Sequence, residues 1–522
     1  MGNRWSLQVL RAKLLSMRPK KKYDKLLDFS IVFFVIFSLY FLTSSHRLTW
    51  TNFGNDGGDF WSAILTNGIP HPTGYPTYLL LGWLFQRLPF GDAYFKAVLI
   101  SYLPAALAAG LLSAWVSSRR NGHRISGVIS GLLWGMSPAL WSQAIIIEVY
   151  ALQSLFAVLA LWWFTLLLRK TPPYPEWLLY ALAFGFGLGA GNHSTQALML
   201  PACLACLAIY TVQTKKYKQA ILQALAGLLG GLVYLALPIR AGFFPPINWG
   251  NPQTLSGFLW EVSGAPYRSL LGTISASSLA GRLLASASIL REQVGALGIA
   301  LGVFGGFDLF QKERKVFWLS VWIFAIYLAF SIGYNTADST GYLIPSWMVF
   351  CAWSGISLDA AQSIRWKKWR LSQIGFLVIA AWLAIRIPII IKQVMPADRY
   401  LAADMVEKTL HELPANAIVI TYSELDSFPL WAYHFGLGWR KDLAIIVLPL
   451  TQFKWYQDTL VHTYPQLNFS PPSEEYSNST LWGDKIGPLN PKNVMCTSLV
   501  QNQGNLEITY TCTNGKKISA IP

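Results

Sequence analysis

NFGNDGGDFWSAILTNGIPHPTGYPTYLLLG, residues 52–82, sets Asp56, Asp59 and His71 in a loop rich in glycine and proline just after an apolar run. Two acids so close to an apolar segment need water, a partner or a chemical task. The preceding run, Leu27 to Ser44, follows a long basic segment and lacks a small-residue cleavage site. It therefore reads as a retained membrane span rather than a signal peptide.

Working outward, the composition sets the class. Of 522 residues, 53% are hydrophobic and only 13% are charged, and the apolar runs are too long and too many for a soluble fold. The formal net charge of +16 raises nucleic acid as a partner, but its distribution argues against one. Lys and Arg fall in clusters between apolar runs: within residues 1–26, at 119–124, 169–170, 215–218, 312–315 and 365–370. These clusters hold twenty-three basic residues, whereas the alternate loops hold six: Arg47, Arg87, Arg240, Arg268, Arg282 and Arg291. This is the positive-inside pattern, so the basic balance reports topology, with anionic cytoplasmic lipid as its partner.

With the clusters inside, about eleven spans follow: 27–44, 93–117, 125–146, 150–168, 177–191, 194–212, 219–238, 293–310, 316–333, 341–363 and 371–391. The N-terminus is then cytoplasmic and the tail extracytoplasmic, in a plasma membrane that short loops suggest is bacterial. Adding Tyr75 to Phe90 as a further span would invert every later loop, so that stretch reads as re-entrant or interfacial. The chain divides into a basic N-terminus, 1–26, a transmembrane domain, 27–391, and an extracytoplasmic α/β domain with a polar tail, 392–522. In the last part, Ala417 to Tyr422 and Leu443 to Leu448 are strand-like and flank a helical segment, Asp426 to Phe435. After about Asn468 the sequence is polar and rich in turn residues. Cys496 and Cys512 would meet an oxidising compartment and form either a disulfide or two free thiols. Cys203 and Cys206 read as helix-packing residues, since no second ligand pair accompanies them to make a zinc site.

Sorted by side, Asp56, Asp59, His71, Glu148, Asn192, His193, Arg240, Asp338 and Tyr342 come to the outer face. Each has a structural alternative. The aspartates can cap a helix, Glu148 and Arg240 can snorkel into headgroups, the histidines can be satisfied at helix ends, and Asp338 can serve the turn YNTADSTG. Their convergence favours a site.

The first loop, SQAIIIEVYALQSLF, GLGAGNHSTQALMLP, YLALPIRAGFFPPINWGNPQTLSGFLWEVSGAPYR and YNTADSTGYLIPSW resemble successive blocks of the protein O-mannosyltransferase-like family, long catalogued as a transmembrane domain of unknown function. That family is similar to the GT-C superfamily of integral membrane glycosyltransferases. The likeness covers roughly residues 25–390, with a weaker echo in NAIVITYSELDSFPLWAYHFGLGWRKDLAII. Asp59 stands where relatives often have Glu.

The resemblance implies a mainly α-helical polytopic GT-C-like fold and an inverting transfer from a polyprenyl-phosphate-linked sugar to an extracytoplasmic protein, glycan or lipid. Such a reaction needs a base for the acceptor hydroxyl, for which Asp56 is the candidate, and a cation for the departing phosphate, for which Arg240 is the candidate. Asp59 is counted with them as catalytic, while His71, Glu148, Asn192, His193, Asp338 and Tyr342 would hold the substrates, with Tyr75 and Trp249 as stacking surfaces or interfacial anchors. No cofactor is required on this reading. Mg²⁺ or Mn²⁺ on Asp59 or Glu148 is the alternative. A transporter or lipid flippase is the rival class, although midplane polar groups and related halves would then be expected. A non-catalytic envelope scaffold is the other.

Overall fold

The first helix, Lys20–Thr43, carries a continuous apolar sequence and begins the membrane part of the chain. The computed structural model describes residues 20–119, 122–169, 174–502 and 506–521. Most of the basic 1–26 segment, Arg120 and Lys170 lie outside the described residues.

Among the described residues nine helices are long and apolar enough to cross a membrane. The chain is thus an integral membrane protein, and two of the eleven expected spans take another form. The 125–146 stretch is broken into Arg124–Gly135 and Pro138–Ala144. Ser137 is extended and Pro138 opens the second helix, where its missing N–H costs nothing. The 177–191 stretch forms Glu176–Asn192, whose 17 residues reach only about 25 Å at about 1.5 Å per residue. The 293–310 span is the latter half of Ala276–Lys312, which kinks at Gly295, where φ is 70°. Pro76–Phe85 is a 10-residue apolar helix, too short to span, in keeping with the reading of residues 75–90.

Ala93–Ser117, Val149–Leu167 and Ser339–Ala360 form the buried centre of the bundle, with Tyr217–Ala241 and Leu371–Val394 at its periphery. Glycine permits the closest helix approach. A Cβ on Gly187 would lie 2.0 Å from the Gly227 carbonyl oxygen, so Glu176–Asn192 and Tyr217–Gly231 touch through their backbones. Cys203 and Cys206 are free and buried, consistent with packing residues. Just beyond the C-terminal end of Ala93–Ser117, buried Arg119 pairs with Glu313 at 3.0 Å and Asp359 at 3.2 Å. Nearby, Arg124 pairs with Asp28 at 2.7 Å. These clasps tie helix ends on the side away from the 52–82 loop.

Strands β1 (Arg365–Trp366) and β2 (Trp369–Arg370) make a small hairpin between two membrane helices. The C-terminal part contains β3 (Ile418–Thr421), β4 (Ala444–Val447), β5 (Met495–Asn502), β6 (Leu506–Cys512) and β7 (Lys517–Ile521), in the order β4-β3-β5-β6-β7. The two expected strand runs are β3 and β4, which pair in parallel and are buried throughout, as parallel strands usually are. Helix Glu424–Trp431 follows β3, opened by a capping box in which Ser423 and Asp426 satisfy each other's backbone. The polar tail corrects the turn-rich reading: it folds into β5, β6 and β7. Polar and apolar residues alternate there, since one face meets the core and the other meets water. Cys496 and Cys512 lie opposite one another across β5 and β6 and form a disulfide.

Candidate active site

The 52–82 loop folds as a 3₁₀ turn, Thr51–Asp56, and a short helix, Gly57–Thr66, that stops at Asn67 in the left-handed conformation, which Asn tolerates well. The chain then returns so that His71 faces the helix. One oxygen of buried Asp59, Oδ2, accepts from both the backbone N–H and the Nδ1–H of His71, each at 2.8 Å. The other face of the imidazole looks outward. Nε2 lies 3.6 Å from Asp56 Oδ2 and 3.2 Å from the Tyr75 hydroxyl.

Asp59 is fully buried behind His71, while Asp56, His71 and Tyr75 border a cavity of about 510 Å³. Its lining includes Asp56, His71, Tyr75, His193, Asp338 and Tyr342 from the sequence-derived set, joined by Tyr150, Tyr267, Arg268 and Glu424. Tyr150 donates to Asp338 at 3.1 Å. The His193 ring lies among those of Tyr75, Tyr150 and Tyr342, with centroids 5.3 to 5.9 Å away.

Burial pushes the Asp56 carboxyl up to about 7, although the imidazole beside it pulls the other way. Burial alone would lower His71, but Asp56 and Asp59 outweigh it and hold the ring charged up to about 10. Burial takes His193 down to about 3, so its ring is neutral. The site thus joins a carboxyl that titrates near neutrality to a fixed imidazolium.

Other sequence-derived residues sit behind the cavity. Arg240 is buried and donates to the carbonyls of Gly68 at 3.0 Å and Leu79 at 3.3 Å. It pins the loop and does not line the cavity, contrary to the position expected for it, whereas Arg268 does line the cavity. Glu148 accepts from its neighbour's N–H at 2.8 Å and caps Val149–Leu167; it is buried and does not snorkel into headgroups, the alternative expected for it. The Asn192 amide donates to the Val149 carbonyl and Gln153 Oε1, both at 3.2 Å, joining two helices. Trp249 packs near Phe428, Trp431 and Trp455 and is not a stacking surface of the cavity. Among the described residues no group of three or more His, Cys, Asp or Glu is arranged to hold a metal ion.

Arg268 and Glu424 are the charged lining residues that the sequence reading leaves out of the site, along with Tyr150 and Tyr267. Arg268 closes the fourth block of the resemblance and is one of the six outer cations. Glu424 follows Ser423 in TYSELDSF, which reads as a helix start, and nothing local announces that it faces another part of the chain.

The comparisons bear on this arrangement. Residues 56–218 match the N-terminal domain of protein O-mannosyl-transferase TMEM260, and residues 402–480 match TMEM260-associated domain 2. Over 446 residues the chain is 24% identical to the mouse protein O-mannosyl-transferase TMEM260, covering 80% of this chain and 62% of the relative. The Dictyostelium discoideum protein of the same name is 25% identical over 279 residues, which is 49% of this chain and 34% of that one. The chain therefore spans less than two thirds of either relative. Both are eukaryotic, and neither supports the expected bacterial origin. In architecture the chain is similar to ArnT from Cupriavidus metallidurans, solved with undecaprenyl phosphate bound and in the apo state. The TM-score is 0.54 for each at 11% identity, over 90% of this chain and 93% or 92% of ArnT. The cavity residues Asp56, His71 and Tyr75 fall in the first matched domain and Glu424 in the second, and the chain, with a GT-C-like fold, is similar to the TMEM260 protein O-mannosyl-transferases.

Proposed function

We propose that the protein moves a mannosyl group from a polyprenyl-phosphate donor to a hydroxyl of a protein acceptor on the extracytoplasmic side of the membrane. The observation that carries the reading is the position of Asp56, which borders the cavity with its carboxyl raised to about 7 and the imidazole of His71 beside it. A carboxylate near neutral pKa suits a general base at physiological pH. In the proposed step the acceptor oxygen bonds to the anomeric carbon while the bond from that carbon to the phosphate oxygen breaks. The electron pair leaves with the polyprenyl phosphate, the hydroxyl proton passes to Asp56, and a single displacement of this kind inverts the anomeric centre. His71, held by Asp59, keeps Asp56 ionised and oriented. Arg268 meets the leaving phosphate, since a guanidinium matches phosphate geometry and stabilises charge that develops in the transition state.

Three lines support the donor and sugar class: the activity for which the relatives are named, the architecture shared with a protein solved with undecaprenyl phosphate bound, and the cavity with a single arginine in its described lining. The positive-inside clusters support a cytoplasmic N-terminus. With Arg268 to neutralise the phosphate, the proposed reaction is metal-free.

The test is transfer of radiolabelled mannose from a polyprenyl-phosphate donor to a serine- and threonine-containing peptide, with purified protein in liposomes. Wild type should transfer in EDTA and Asp56→Asn should lose the activity by about a hundredfold or more. Equal rates for the two proteins would remove Asp56 as the base. Transfer by neither would overturn the reading.

A further inference from the structure

We propose that Glu424, from the C-terminal sheet domain, is the acceptor-recognition residue of this site, taking hydrogen bonds from the hydroxyl and amide donors of an acceptor peptide. This rests on the transferase reading above and says which part of the chain selects the acceptor. Among the described residues that line the cavity, Glu424 alone comes from beyond the last membrane helix. It is solvent-accessible, in contrast to buried Asp426 two residues on.

Its placement is fixed from two sides. Within its own domain, Asp426 closes the capping box with Ser423 and bonds Ser427 and Ser498, which anchors the first turn of the helix to β5. Against the membrane part, the same helix lies backbone to backbone on the 52–82 loop. A Cβ on Gly58 would come within 2.5 Å of the Phe428 carbonyl, and the Phe428 ring lies nearly parallel to His71, 6.4 Å away. Glu424 is therefore held at the cavity by two anchored contacts.

The chemistry follows from which partner arrives from where. A polyprenyl donor reaches the cavity from the bilayer and brings a phosphate, which three lining carboxylates, Asp56, Asp338 and Glu424, repel and Arg268 attracts. A soluble acceptor arrives through water and meets first the residue that the aqueous domain supplies. A carboxylate there accepts from hydroxyls and backbone N–H groups and has no favourable contact with a phosphate.

The experiment uses the full chain in liposomes with polyprenyl-phosphate-mannose and a serine- and threonine-containing peptide, and compares wild type with Glu424→Ala and Glu424→Gln. Loss of a charged hydrogen bond should raise the peptide KM of Glu424→Ala about tenfold, with the donor KM unmoved. Glu424→Gln, which keeps one acceptor oxygen, should fall between it and wild type. A peptide KM equal to wild type in Glu424→Ala, or a donor KM that rises in step, would overturn the assignment. Absence of transfer by wild type would instead overturn the transferase reading, and this assignment with it.

Discussion

His71 and Asp59 are joined twice: the backbone N–H and the ring Nδ1–H of the histidine converge on one carboxylate oxygen at 2.8 Å each. This fixes the ring plane and turns Nε2 toward Asp56. Asp59→Asn keeps the volume but gives up the charge, at a cost of about 1.5 to 3 kcal/mol of stability for hydrogen bonds to a charged group. A lower melting temperature in detergent, accompanied by weaker transfer, is the expected result. An unchanged melting temperature would count against this coupling.

The pH profile follows from the same cluster. A base must be ionised to work, so transfer should rise with pH through about 7, where the Asp56 carboxyl titrates. The imidazolium pulls that carboxyl down. In His71→Gln the pull is gone, and the acid limb should move to higher pH. Initial rates from pH 5 to 9 for both proteins check the sign. A limb that stays in place or moves down contradicts it.

Arg240 and Arg268 should separate by readout. Arg240→Ala leaves two carbonyls without their donor and should cost about 2 kcal/mol of stability. Arg268→Ala should fold like wild type and lower transfer by about a hundredfold, the usual scale for a lost charge-stabilising donor. Thermal melts beside kinetics on the same preparations decide the matter, and reversed assignments would return the phosphate to Arg240.

Gly58→Ala tests how the sheet domain docks. The added methyl would collide with backbone at Phe428, which cannot rotate away, so a loss of about 1 to 3 kcal/mol is expected. Protease cleavage between the last membrane helix and the sheet should become faster. Cleavage at the wild-type rate would mean that the contact is not holding the domain.

What could be read in the sequence was periodic or local. The helices were legible because apolar runs and basic clusters repeat over many residues, and the cavity residues of the first loop were legible because acids beside an apolar segment stand out. The break at Pro138 was also local, yet the apolar residues around it masked it. β5, β6 and β7 were hidden because their alternation is partly polar and they find partners only in the folded sheet. Arg240 and Arg268 are both outer cations in sequence. Only tertiary placement shows that one faces backbone carbonyls and the other the cavity. Glu424 is the extreme case, since its role depends on a contact between parts of the chain hundreds of residues apart.

Strand β3, which leads into the helix carrying Glu424, pairs with β5, made more than seventy residues later in the chain. A ribosome that has delivered every membrane helix has still produced a cavity without its aqueous wall. The wall that carries Glu424 is thus completed only when strands far apart along the chain have paired, well after the helix Leu371–Val394 has been made.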